Sequence, residues 1–152
     1  MRILCLDIGS KRIGLAASDP MGWTAQGVGV IERRGDDRDL DAIADKAREL
    51  DAKLILMGLP LDEEGGVGPQ AEKVKRFAAR LAAHIEARGL DIPLEMWDER
   101  FSTAIAEERL LEADVSRRKR RRVIDKMAAV AILQDYLDSK DAPADDGEGY
   151  LG

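Results

Sequence analysis

Acidic residues stand at three widely separated places where a folded chain would partly bury them. Asp7 closes the apolar run Arg2-Ile-Leu-Cys-Leu-Asp-Ile-Gly9, and Asp98 and Glu99 close a second, Ile92-Pro-Leu-Glu-Met-Trp-Asp-Glu-Arg100. Asp125 opens a final stretch of helical character, Val123-Ile-Asp-Lys-Met-Ala-Ala129. A carboxylate at the end of a buried strand is costly unless it is paired or bound to a cation. Several converging carboxylates make the oxygen-rich site that a hard divalent cation prefers. Each acid also has a purely structural role open to it. Asp7 can cap the turn at Gly9, and Asp125 can satisfy the dipole at a helix start. Taken together, the acids favour a ligand set.

The elements that must position them follow from hydrophobic period. Leu4–Ile8 reads as a short buried strand. Arg12–Ser18 and Gly27–Arg33 follow as two further strands, whose short Gly-containing connections favour antiparallel pairing of neighbours. Between Asp37 and Leu50 the period changes to helical, with Leu40, Ile43, Ala44, Ala47 and Leu50 on one stripe. Lys53–Met57 is an apolar strand ending at Gly58-Leu-Pro60. A Gly-rich loop precedes a long amphipathic helix carrying Val74, Phe77, Ala78, Leu81, Ala82 and Ile85. Pro93–Trp97 is the fifth strand. Ser102 or Thr103 can cap a helix running to about Asp114, and a last helix is expected from about Arg122 to Leu137. The order β-β-β-α-β-α-β-α-α predicts a mixed α/β sheet with helices on both faces. One domain over 1–138 is expected, followed by a disordered acidic tail over 139–152.

Composition narrows the class. With 152 residues the chain can bury a real core. No apolar stretch approaches the roughly 20 residues that cross a bilayer, and Asp7 interrupts the early apolar run too soon for a secretory leader. The single Cys5 cannot form an internal disulfide, so a cytoplasmic location is the expectation. The net charge of −6 is unevenly spread: residues 138–152 carry −4 of it, leaving −2 for residues 1–137. Within that body stand six consecutive cations, Arg117, Arg118, Lys119, Arg120, Arg121 and Arg122. Such a run can be a solvated segment, but its place just before Asp125 favours contact with a phosphate backbone. Lys11, Arg12 and Arg100 can hold a phosphate or pair with Asp98 and Glu99. Only 4% of residues are aromatic, which favours backbone and shape recognition over base stacking. Trp97 reads as core, and His84 as an exposed polar residue rather than a base. No Cys/His set supports zinc.

Five segments, in order, carry a family resemblance: Asp7-Ile-Gly-Ser-Lys-Arg-Ile-Gly-Leu-Ala-Ala-Ser-Asp-Pro20, Gly58-Leu-Pro60, Gly68-Pro-Gln-Ala-Glu-Lys-Val74, Trp97-Asp-Glu-Arg-Phe-Ser-Thr103 and Ile124-Asp-Lys-Met-Ala-Ala129. Together they resemble the YqgF/RuvX family, described as Holliday-junction resolvases and as pre-16S rRNA nucleases. The resemblance spans about residues 2–138. It implies an RNase H-like fold, with a five-stranded mixed sheet of three antiparallel strands followed by βαβ units. It also implies a catalytic and metal-binding set of Asp7, Asp98 or Glu99, and Asp125. Related resolvases place a catalytic Glu at the end of the fourth strand, where this chain has Gly58-Leu-Pro60; the role then falls to Asp98 or Glu99.

The implied chemistry is phosphodiester hydrolysis. One or two Mg²⁺ or Mn²⁺ ions would bind non-bridging oxygens, activate water and stabilise the leaving oxygen. Strand alternation sends Asp98 and Glu99 to opposite faces, so one of them is expected to be the direct ligand. The expected substrate is structured RNA, specifically the 5′ end of pre-16S rRNA, with four-way DNA as the alternative. Either a monomer or a homodimer is compatible. Two other classes compete. Asp7-Ile-Gly-Ser resembles the phosphate-binding turn of actin-like sugar kinases, but those enzymes need a second lobe. A non-catalytic nucleic-acid-binding module would gain nothing from anions placed beside phosphate.

Overall fold

The structure, a computed structural model, describes residues 1–61, 64–99 and 117–141, with backbone alone for residues 117–125 and 141. Three strands, β1 (Ile3–Ile8), β2 (Arg12–Ser18) and β3 (Ala25–Glu32), form an antiparallel meander. Helix α1 (Asp36–Glu49) leads to β4 (Leu54–Leu59), which pairs parallel with β1. Helix α2 (Pro69–Ala87) leads to β5 (Leu94–Asp98), parallel to β4. The long helix α3 (Arg117–Asp141) follows. The sheet order is β3-β2-β1-β4-β5, the mixed five-stranded arrangement expected from the sequence.

Alternation along the central strands splits the core in two. Leu4, Leu6 and Ile8 of β1, with Ile55 and Met57 of β4, pack under α1 and α2 against Leu40, Ile43, Ala47, Val74, Phe77 and Leu81. Ile3 and Cys5, with Leu54 and Leu56, face the other way, against Ala129, Ile132, Leu133, Tyr136 and Leu137 of α3. Both faces of the sheet are therefore covered, which is why β4 reads as one unbroken apolar run. Asp7, two residues beyond Cys5, continues the α3-facing row.

Helix boundaries have local causes. Gly68 precedes Pro69, whose missing amide and fixed φ suit a first helical turn. Helix α1 places Asp36, Asp37 and Asp39 in its first turn, where the dipole favours anions. Two sequence expectations need correction. The last helix starts at Arg117 rather than near Arg122, so the basic run is helical; Arg and Lys are good helix formers, and no Gly or Pro interrupts them. The same helix continues to Asp141, beyond the expected end at Leu137. The helix expected over Ser102–Asp114, the Thr103 cap, Arg100 and the tail from 142 lie outside the described residues. No helix among the described residues is long and apolar enough to cross a membrane.

Candidate active site

The parallel strands β1, β4 and β5 end together at one edge of the sheet, the edge where α/β proteins place their ligands. On the α3 side of that edge the structure brings Asp7 and Glu99 together. Asp7 ends β1's α3-facing row and sits opposite Gly14 of β2. Glu99 follows β5, and its amide donates to the Leu59 carbonyl at 3.2 Å, extending the β4–β5 ladder by one bond. Two residues earlier, Trp97 fixes which face Glu99 takes. Its ring meets Tyr136 of α3 edge-on at 5.1 Å, and Nε1 donates to Asp135 Oδ2 at 2.8 Å. Tyr136 in turn donates its hydroxyl to Glu95 Oε1 at 3.2 Å. Trp97 is thus core-forming, as the sequence suggested, and the alternation after it turns Glu99 inward.

Gly58 makes this possible. It is the last α3-facing residue of β4, between β1 and β5, and pairs with Trp97. A Cβ on Gly58 would overlap Glu99 Oε2 and stand 2.7 Å from Ile132 Cδ1. The carboxylate of Glu99 therefore occupies the space that a β4 side chain would fill. An acid from the neighbouring strand thus reaches over this glycine.

The closeness of the two carboxylates shows in the electrostatics of Glu99. Glu99 is pushed up to about 8, first by burial, then by the charge of Asp7 and a hydrogen bond with it, and last by Asp98. Its Oε2 is buried and has no hydrogen-bond partner among the described residues. Cys5, one pleat below Asp7, registers the same convergence: burial raises its thiol, and the charges of Asp7 and Glu99 raise it further. Asp98, whose charge reaches Glu99, belongs to the other row of β5. Pleating puts it in the row of Leu94 and Met96, which pack on the α1/α2 side. Among the described residues no three His, Cys, Asp or Glu side chains form a group able to hold a metal.

Asp125 lies in α3, three and four residues before the buried Ala128 and Ala129 and seven before Ile132. Its side chain, and those of Arg117 to Arg122, lie outside what is described. Arg12 stands in β2's α3-facing row, paired in register with Glu32 and one pleat from Gly14. Lys11 is exposed in the β1–β2 turn. His84 is half-buried between α1 and α2, its Nε2 2.8 Å from Asp41 Oδ1, remote from the acid pair. The role of Gly58 is one that no sequence motif reveals: its missing side chain leaves room for Glu99 from the next strand.

The family model RuvX, described as Holliday junction resolvase, matches residues 1–139. A protein of Pelotomaculum thermopropionicum named "Putative pre-16S rRNA nuclease" is 48% identical over 150 residues, covering 98% of this chain and 94% of the relative. A protein of the same name from Desulforamulus reducens is 50% identical over 139 residues, covering 91% of this chain and 98% of the relative. Among solved structures, Thermus thermophilus RuvC in complex with a Holliday junction substrate superposes with a TM-score of 0.58 at 12% identity, over 93% of this chain and 96% of that one. The fowlpox virus resolvase with its junction DNA gives 0.54 at 13% identity, over 92% and 99%. These two likenesses establish the RNase H-like fold. The chain belongs to the RuvX family. Its enzyme class is that of the nucleases, hydrolases acting on ester bonds.

Proposed function

We propose that this protein is a divalent-metal-dependent nuclease that trims the 5′ end of pre-16S rRNA, with Asp7, Glu99 and Asp125 as its metal-binding acids. The observation that carries the reading is the Asp7–Glu99 pair. Two carboxylates are held together at the ligand-binding edge of the sheet, one with an oxygen buried and without a hydrogen-bond partner among the described residues. A buried anion pair of this kind is stabilised by a proton or by a cation. Hard carboxylate oxygens suit Mg²⁺ or Mn²⁺, so the donor set fits the metal that the chemistry requires. When bound, the ion supplies Lewis-acid polarisation of the phosphate and a more acidic attacking water.

The chain's own residues have separable tasks. Asp7, at the end of a central strand and anchored in its ladder, fixes the position of the charge. Glu99 can exchange its proton for the cation, since near neutral pH it is poised to hold either. Asp125 supplies the third carboxylate from α3, and Glu99 takes the role that Asp98 or Glu99 could have filled. Arg12, on the same sheet face, is placed to contact a non-bridging phosphate oxygen, with Lys11 and Arg100 as outer contacts. The six cations from Arg117 to Arg122 fall in the first turns of α3, where the helix dipole adds to their mutual repulsion. An RNA backbone relieves both. The names of the relatives favour RNA. The description of the family model supports the second reading, cleavage of four-way DNA junctions.

The test is cleavage of a precursor 16S rRNA fragment and of a four-way DNA junction, each with Mg²⁺ or Mn²⁺, by parent and Asp7→Asn proteins. Trimming of the RNA by the parent and not by the variant is expected. Equal residual cleavage by both would refute the site.

A further inference from the structure

A cleft of about 710 Å³ opens at the same sheet edge but on the opposite face. Its floor is the β1–β2 turn at Ile8, Gly9 and Ser10; its walls are the first turn of α1 and the N-terminal half of α2, from Gln70 to Arg80. Four cations, Arg33, Lys73, Arg76 and Arg80, line it against two acids, Asp36 and Asp39. The cations are of two kinds. Arg33 is fixed by Nε to Asp39 Oδ2 at 3.0 Å, by one terminal nitrogen to the Gly9 carbonyl at 3.1 Å and by the other to Asp36 Oδ1 at 2.9 Å. Arg80 bridges Asp36 at 2.7 Å and Asp37 at 3.0 Å. Lys73 and Arg76 are exposed, and neither pairs with a described acid. The internal pairs thus build a rigid wall, and two cations are left over facing the cavity.

Position gives this surplus its meaning. Ile8 and Gly9 directly follow Asp7, so the cleft and the acid pair lie on the two sides of one strand end. The distance across is roughly that of one packed layer, about 10 Å. A nucleic acid that presents one phosphate to Asp7 and Glu99 carries its flanking phosphates past this edge. Cations at phosphate positions supply affinity and register without reading sequence.

We propose that this cleft is a phosphate-binding subsite for a non-scissile stretch of the structured RNA, with Lys73 and Arg76 as its contacting cations. The identity of the ligand rests on the nuclease reading above; the cationic cleft does not.

The experiment uses the full chain carrying Lys73→Ala and Arg76→Ala, changes to a good helix former at exposed helical positions. A charge-matched control carries Arg48→Ala and Lys53→Ala at the other end of the sheet. Binding is measured by fluorescence anisotropy in EDTA, across salt concentrations, on a short single-stranded RNA and on the same RNA extended by a hairpin duplex. For the extended RNA, the cleft variant is expected to lose about 2 from the salt slope and on the order of tenfold in affinity at about 0.1 M salt. The short RNA should bind unchanged, and the control variant should match the parent. The proposal is overturned if the cleft variant binds the extended RNA like the parent, if both RNAs weaken equally, if the control loses as much, or if the parent does not bind the extended RNA. Cleavage of a precursor 16S rRNA fragment with Mn²⁺, compared between parent and Asp7→Asn, tests the nuclease reading separately. Absence of cleavage with the salt-slope effect intact would sink that reading and leave the subsite standing.

Discussion

The two faces of one sheet edge treat buried acids in opposite ways. Under α1, Asp39 is only 1% exposed, yet its carboxylate accepts from Arg33 Nε and from the Arg34 amide, both at 3.0 Å. Under α3, Asp7 and Glu99 are pressed together, and Glu99 keeps a buried oxygen without a hydrogen-bond partner among the described residues. All three acids sit near the same strand end. The difference is who supplies the counter-charge. Asp39 receives it from the chain, as a structural carboxylate does. Glu99 instead shares a hydrogen bond with another acid and keeps one oxygen without a described partner, which supports the proposed site.

Substitutions should separate the two faces, and the largest effect is expected on activity. Asp7→Asn or Glu99→Gln should lower metal-dependent cleavage by on the order of a thousandfold, since charge stabilisation of the reacting phosphate is lost. Single-turnover kinetics would check it; a loss below tenfold would make the pair accessory. Gly58→Ala comes next. The added methyl competes with Glu99 for its space, so cleavage should fall on the order of tenfold or more while RNA affinity in EDTA stays at the parent level. Parent-like cleavage by that variant would mean that Glu99 does not need the vacancy.

On the other face the cost moves to stability. Asp39→Ala leaves Arg33 without its buried partner and should destabilise the fold by about 2–3 kcal/mol, read by urea unfolding. The single-turnover cleavage rate of the folded fraction at saturating RNA should fall far less than in Asp7→Asn, and a rate loss as large as that of Asp7→Asn would erase the distinction between the faces. The smallest effect is a pH dependence. Glu99 titrates near 4.5 when unfolded and at about 8 when folded. Below about 4.5 both states hold the proton, and the protonated contribution to stability is fully present. Between 4.5 and about 8 the unfolded chain has released the proton and the fold still holds it, so metal-free stability falls as pH rises and levels off above about 8. Glu99→Gln should flatten that fall and raise the metal-free melting temperature at pH 8 by roughly 3 °C or more. Identical pH profiles for parent and variant would contradict the shift.

Much of this architecture was readable before any coordinates. Central strands buried on both faces read as continuous apolar runs, and α1 and α2 announced themselves through helical spacing of Leu40, Ile43 and Ala47 and of Val74, Phe77 and Leu81. Alternation also predicted that Asp98 and Glu99 would part. Which of the two turns toward α3 depends on Trp97 meeting Tyr136 across more than a quarter of the chain, which no local pattern encodes. The role of Gly58 was equally hidden: it follows from the pairing of Gly58 with Trp97, a register that no local pattern encodes. Six consecutive cations carry no apolar period to mark a helix, yet their helix propensity is good and α3 includes them. The cationic cleft could not be seen at all, since it joins the first turn of α1 and the N-terminal half of α2 to a strand turn far from both in sequence.

The central claim is that Asp7 and Glu99 form a cation site. Calorimetric titration of the EDTA-treated protein with Mn²⁺ at pH 7, repeated in buffers of different ionisation enthalpy, tests it most directly. Binding to the parent should be accompanied by proton release, with the release abolished and the affinity lowered on the order of a hundredfold in Glu99→Gln. Equal Mn²⁺ affinity in parent and variant, with no proton released by either, would contradict it.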